Sequence, residues 1–246
     1  MSSAAVDVLR ALHHGPEPLL LPNAWDAASA RLVEAAGFPV VATGSAGVAA
    51  SLGFADGERA PVEEMLAAAA RICRAVAVPV TVDAEAGYDL PPAELAARLT
   101  ELGAAGCNVE DTDHARGGLV DAEEQAERIR GLGSGLVVNA RVDVFIREWG
   151  EPSGRLDEAV RRGRLYLEAG AACVYPIWVA DEETIARLVD ALAAPVNVLY
   201  RPGAPSLRRL AELGVARVSL GPGLHRAAEA ATREILARMA AGSDPY

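Results

Sequence analysis

A chain of 246 residues that is 51% hydrophobic and 23% charged has a globular composition and is long enough to bury a core. Its 34 acidic against 23 basic side chains give a formal net charge of −11, which argues against a nucleic acid or an anionic membrane as partner, since either needs a basic face. Aromatic residues make up only 4%, so burial must come from many small aliphatic contacts.

The segment up to Trp25 places Asp7, Arg10, His13 and His14 ahead of its apolar run and lacks the charged n-region of a signal peptide. No stretch reaches the ~20 apolar residues of a membrane span, and a cytoplasmic location is the expectation. His13 and His14 read as surface residues. From there, short β-branched runs alternate with longer Ala/Leu/Glu/Arg stretches at helical spacing. Strands are predicted at Leu19–Asn23, Val40–Thr43, Val78–Asp83, Gly106–Glu110, Leu136–Arg141, Ala172–Pro176, Val196–Tyr200 and Val215–Leu220. The helices that follow them are predicted at Ala27–Ala36, Val62–Ala75, Pro92–Leu102, Ala122–Ile129, Asp157–Ala169, Asp181–Ala191, Ser206–Leu213 and Leu224–Met239.

Eight units of about 31 residues match the size of a βα repeat. No Pro/Gly/Ser-rich linker or charge block interrupts them, so residues 1–246 read as a single α/β domain, a (β/α)8 TIM barrel, with an open doubly wound sheet as the lesser alternative. The cysteines, Cys73, Cys107 and Cys173, are odd in number and far apart, with no metal-ligand spacing, and read as small buried hydrophobes.

A barrel carries its chemistry at the carboxyl ends of its strands. There the sequence places Asn23, Trp25 and Asp26 after the first strand, the Gly44–Gly47 turn and then Asp56 after the second, and Asp83 with Glu85 at the third. Glu110 and Asp111 end the fourth, and Asn139, Arg141 and Asp143 the fifth. If the third strand continues, Asp83 and Glu85 project to the same side. Carboxylates crowded on one rim call for a cation, and an oxygen-only ligand set with room for water favours Mg²⁺ or Mn²⁺ over zinc. Arg141 suits a bidentate grip on a carboxylate, with an ion pair to Asp143 or Glu110 as the competing reading.

The segments PNAWDAASARLVEAAGFPVVATGSAGVAASLGFADGE, VDAEAGY, NVED and NARVD, in this order and spacing, resemble the isocitrate lyase/phosphoenolpyruvate mutase superfamily. The likeness runs from Pro22 to the GVARVSLGP segment. It implies a barrel of the phosphoenolpyruvate/pyruvate-domain type, a Mg²⁺ ion near Asp83, Glu85 and Glu110, and a small carboxylate substrate. Ser45, Ala46 and Gly47 match the family's substrate anchor, Asp56 a further acidic position near the metal waters, and Arg141 the substrate-binding arginine; Trp25 and Asn197 complete the expected substrate contacts. Members are commonly homo-dimers or homo-tetramers built through the last helix.

Two departures separate this chain from the lyase branch. The loop after the fourth strand reads DTDHARGGLVD in place of a KKCGH-type segment, so the acid-bearing cysteine is missing, and Ile177 of YPIW stands where the lyases carry a glutamate. The lysine and asparagine of the phosphonomutase gating loop are also absent. His114 occupies this loop beside Gly117 and Gly118 and is the candidate proton donor. The expected activity is Mg²⁺-dependent cleavage of a C–C bond in a 2-oxo or 2-hydroxy acid through a metal-stabilised enolate. The alternatives are C–P chemistry as a phosphonopyruvate mutase or hydrolase, and a non-catalytic carboxylate-binding barrel.

Overall fold

The computed structural model describes residues 3–246. Nine short strands run in parallel: β1 (Leu19–Leu21), β2 (Asn23–Ala24), β3 (Val41–Thr43), β4 (Val80–Asp83), β5 (Gly106–Glu110), β6 (Val137–Val142), β7 (Cys173–Pro176), β8 (Asn197–Leu199) and β9 (Arg217–Ser219). β2 to β7 pair in sequence order, and β1, β9 and β8 form a second run. A parallel bridge between Val174 and Val196 joins β7 to the β8 segment, and β1 and β2 are consecutive in the chain, so the ring closes. This is a (β/α)8 barrel.

The predicted first strand is in fact two. Leu19 lies opposite Arg217 on one side, whereas Asn23 lies opposite Ala42 on the other, with Pro22 between them. Closing a sheet staggers its register, so the first strand meets its two neighbours at different heights. Pro22 has no N–H to give a ladder and falls where pairing changes side. The Asn23 side chain locks this seam: its Nδ2 donates to the Thr43 carbonyl at 2.8 Å, and its Oδ1 accepts from Leu220 and Gly221 N–H at 2.9 and 2.8 Å.

The helices are α1 (Ser3–Leu12), α2 (Ala27–Ala35), α3 (Ser45–Leu52), α4 (Val62–Ala75), α5 (Pro92–Leu102), α6 (Ala122–Leu132), α7 (Arg155–Glu168), α8 (Glu182–Leu192), α9 (Leu207–Glu212) and α10 (Gly223–Ala240). Asp26, Asp121, Asp181 and Ser206 cap α2, α6, α8 and α9 through their side chains, satisfying amides that have no intrahelical partner. Asp26 is therefore a cap and not a group at the barrel mouth. α3 replaces the Gly-rich turn expected after the second strand; its SAGVAASL run is mostly small residues and lies between Gly44 and Gly53, which give it the look of a turn.

α1, also unforeseen, plugs the amino-terminal end of the barrel. Leu9 is fully buried in a cluster with Leu19, Leu21, Val40, Ala42, Ala105 and Val137. Gly106 is required beneath it, because a Cβ there would fall 2.5 Å from the Val137 carbonyl and 2.8 Å from Leu9. His13 follows this helix and is only 3% exposed, with Nδ1 2.8 Å from the Leu9 carbonyl, so it is not a surface residue. Burial, aided by the positive charge of Arg217, pushes its pKa down to about 4. The three cysteines are buried and free. No helix among the described residues is long and apolar enough to cross a membrane. α10 buries none of its residues and leaves Leu236 and Met239 more than half exposed.

Candidate active site

At the carboxyl ends of the strands lies a cavity of about 250 Å³. Asp83, the last residue of β4, stands on its wall. One carboxylate oxygen, Oδ2, accepts the Ser45 N–H at 3.0 Å, and the backbone N–H of Asp83 donates to Thr43 Oγ1 at 2.8 Å. The other oxygen, Oδ1, is buried and has no hydrogen-bond partner. Burial pushes the Asp83 pKa up, while Arg141 and the Ser45 N–H pull it down. Asp56, Asn108, Arg141, Ser45 and Ala46 line the same cavity.

β4 ends at Asp83, and the strand alternation does not carry on to Glu85. Glu85 has φ +48, a left-handed conformation, and its Oε1 accepts the N–H groups of Gly57 and Glu58 at 3.0 and 2.7 Å. Glu58 answers by accepting the Tyr88 N–H at 2.6 Å, so the loops after β3 and β4 are tied together. Burial raises the Glu85 pKa to about 7, against the Glu58 N–H that lowers it.

Glu110 at the end of β5 is 3% exposed and engaged at both oxygens, by His114 Nε2 at 2.7 Å and by Arg141 Nη1. Burial lifts its pKa to about 7, and Arg141 opposes the rise. Arg141 also makes a two-point contact with Asp143, Nε to Oδ1 at 2.7 Å and Nη2 to Oδ2 at 2.9 Å. Both competing ion pairs weighed for Arg141 are thus present, and the arginine still lines the cavity. Asp143 is fully buried and is further held by the Thr112 hydroxyl and by its own N–H to Asp111 Oδ1 at 2.8 Å. Asp111 turns away from the mouth to α7, where it accepts from Arg162 at 3.0 Å and from the Tyr166 hydroxyl at 2.7 Å.

The remaining candidates are dispersed. His114 packs beside Gly57 and against Glu110 and is not in the cavity lining; its hydrogen bond to Glu110 raises its pKa, against burial. Trp25 meets the His225 ring edge-on at 5.1 Å in a separate groove along α10, and Gly47 is pressed against Trp25, where a Cβ would lie 3.1 Å from the Trp25 Cβ. Asn197 is buried outside the lining and donates to the Ser219 hydroxyl at 3.1 Å; Ser219 itself is in the lining. The cavity also takes in Ile146, Tyr175, Ile177, Trp178, Leu199 and Arg226, of which the sequence singles out only Ile177. Asn108 was legible by alternation, two positions before Glu110 on β5. Arg226 lies in the first turn of α10 and carried no signal of its own.

No group of three or more His, Cys, Asp or Glu among the described residues is gathered closely enough to hold a metal ion by side chains alone. Asp83, Glu85 and Glu110 therefore do not form a joint cage. What the site does contain is one orphaned carboxylate oxygen in a cavity shared with Asp56 and Asn108. That suits a cation bound by one or two carboxylates and completed by water and substrate oxygens, which is the habit of Mg²⁺.

A closed barrel whose carboxylates and arginines converge on a cavity at the strand ends defines a (β/α)8-barrel enzyme. The chain belongs to the phosphoenolpyruvate phosphomutase family, whose model matches residues 9–240, and so to the superfamily of lyases and mutases that this family shares with isocitrate lyase. It is 37% identical over 229 residues to an uncharacterized protein of Mycobacterium tuberculosis, covering 89% of this chain and 86% of that one. Among solved structures, a Burkholderia cenocepacia J2315 protein with the provisional name phosphonomutase matches with a TM-score of 0.89 at 39% identity, covering 94% of this chain and 98% of the other. A 2,3-dimethylmalate lyase, described as a PEP mutase/isocitrate lyase superfamily member, matches with a TM-score of 0.86 at 28% identity over 98% and 88% of the two chains.

Proposed function

We propose that the enzyme cleaves a C–C bond of a small 2-oxo or 2-hydroxy carboxylic acid through an enolate, with Mg²⁺, or Mn²⁺ in its place, as cofactor. The observation that carries this reading is the buried, partnerless Oδ1 of Asp83 on the wall of a cavity that Arg141 shares. Asp83 would hold a divalent cation through Oδ1, with Ser45 N–H fixing its other oxygen, and Asp56 and Glu85 would hold the cation's waters. When bound, the cation would supply Lewis-acid stabilisation of developing negative charge. Arg141 binds the substrate carboxylate, its fork held in place by Asp143 and Glu110. Ala46 and Ser45, at the first turn of α3, face the same anion. Arg226 offers a second positive charge on the lining. His114, outside the lining, secures the Asp113–Gly118 loop to Glu110, and the proton donor expected of it is not brought to the cavity.

The test is turnover of oxaloacetate, 2-methylmalate and phosphonopyruvate with Mg²⁺ and with EDTA. C–C cleavage that EDTA abolishes is the expected result; turnover unaffected by EDTA overturns the metal mechanism. The two arginines on the lining also suit a doubly charged phosphonate, so turnover of phosphonopyruvate alone assigns C–P chemistry instead. We also propose a homo-dimer or homo-tetramer in a cytoplasmic setting, assembled through the uncovered α10, which light scattering of the pure protein tests.

A further inference from the structure

The chain has four asparagines, Asn23, Asn108, Asn139 and Asn197, and all four are buried on barrel strands. Three of them commit their amide nitrogen inside the protein. Nδ2 of Asn23 donates to the Thr43 carbonyl at 2.8 Å, that of Asn139 to Asn108 Oδ1 at 2.8 Å, and that of Asn197 to the Ser219 hydroxyl at 3.1 Å. Nδ2 of Asn108 differs. Among the described residues only the oxygen of this amide is engaged, and its nitrogen, unlike Asp83 Oδ1, is not shut off from open space. Asn108 is 6% exposed and lines the cavity, so its free N–H pair opens there.

The orientation of this amide is chemically forced. Asn108 Oδ1 accepts from Arg217 Nη2 at 3.1 Å as well as from Asn139. A guanidinium can only donate, so the atom that faces it has to be the oxygen, and a flipped amide would set N–H groups against each other. Asn108 pairs in register with Asp83 across β4 and β5, and both line the cavity.

Arg217, the first residue of β9, is fully buried outside the lining, and its Nε and Nη1 have no partner. Among the described residues it makes no ion pair, and its side chain bonds only the neutral Asn108 amide. A buried charge left without a counterion is costly. Here the charge acts through its neighbour: a cation on the carbonyl oxygen polarises the amide and strengthens the N–H at its other end. A donor backed by positive charge and open to the cavity suits an anionic oxygen.

We infer that Asn108 donates its amide N–H to an anionic oxygen of the bound substrate, and that Arg217 is the positioning residue that fixes this amide and strengthens it as a donor. The inference rests on the proposed function for the presence of a carboxylate substrate in this cavity. Loss of the donor removes a hydrogen bond to a charged group, roughly tenfold to a hundredfold in affinity.

NMR of the natural protein labelled with ¹⁵N-asparagine tests this, because four asparagines give four side-chain amide pairs that single substitutions assign. On titration of the Mg²⁺-loaded protein with oxalate, the Asn108 pair is expected to move downfield and to exchange more slowly with solvent, while the Asn23 pair holds its position. An Asn108 pair that stays put while calorimetry shows oxalate bound overturns the inference and leaves the proposed function intact. No binding of oxalate overturns the proposed cation site, and the inference with it. Asn108→Leu is expected to weaken oxalate binding by roughly tenfold to a hundredfold; a folded variant of unchanged affinity overturns the contact. Arg217→Met is expected to move the Asn108 pair before ligand is added and to blunt its response to oxalate, and Arg217→Lys to restore that response. An Asn108 response that is unchanged in Arg217→Met overturns the positioning role. If these variants do not fold, the titration of the natural protein decides.

Discussion

The N–H of Ser45 donates to Oδ2 of Asp83 at 3.0 Å and leaves Oδ1 of the same carboxylate buried without a partner. The first turn of α3 thereby orients one half of an acidic group and reserves the other. Asp83→Ala is expected to abolish Mg²⁺-dependent thermal stabilisation and to lower turnover roughly a hundredfold or more. Differential scanning fluorimetry with and without Mg²⁺, alongside the EDTA-controlled assay, measures both. An Asp83→Ala protein that keeps its Mg²⁺ response contradicts the ligand assignment.

Arg141 neutralises Glu110 and Asp143, whose side chains are 4% and 0% exposed. Removing the cation leaves two buried carboxylates uncompensated, so Arg141→Met is expected to destabilise the fold by about 3–5 kcal/mol in urea unfolding. Arg141→Lys keeps the charge but not the planar fork, and is expected to raise KM for a carboxylate substrate while losing less stability. Equal KM for Arg141→Lys and the natural protein argues against the substrate contact.

His114 ties the Asp113–Gly118 loop to β5 through Glu110. The hydrogen bond raises the histidine's pKa, so its contribution is present in full below the ordinary value of 6.5 and is lost as pH rises through the folded value. The Arg116 side chain in this loop is 88% exposed and offers a tryptic site. Trypsin cleavage at Arg116, normalised to an unstructured peptide at each pH, is expected to accelerate from pH 6 to 8.5 and to be fast at both pH values in His114→Ala. A pH-independent rate in the natural protein sinks this account.

His13 titrates in the opposite sense. Its folded pKa of about 4 lies below the unfolded 6.5, so between these values the unfolded chain takes up a proton that the folded one refuses, and stability falls as pH falls. By pH 5 the loss amounts to about 2 kcal/mol. Urea unfolding at pH 7.5 and pH 5 is expected to show this loss in the natural protein and not in His13→Phe; matching pH profiles for the two contradict it.

The eightfold alternation of β-branched runs and amphipathic stretches determined the barrel, because period-two and period-3.6 patterning are local properties of the chain. α5 falls at Pro92–Leu102 as its sequence predicts, and the acidic strand ends at Asp83 and Glu110 are equally legible. Position along a strand, however, says only that a side chain reaches the rim. Whether it faces the cavity, a neighbour or a helix depends on contacts made across the chain. Asp111 and Glu110 are adjacent in sequence, yet one pairs with Arg162 of α7 and the other with Arg141 of β6. Glu85 leaves the strand in a left-handed conformation to hold the loop at Gly57, and His13 is buried because α1 folds back under the barrel. Ile146, Ile177 and Leu199 look like ordinary core residues in sequence, and only ring closure brings them to the lining of the cavity that Asp83 shares.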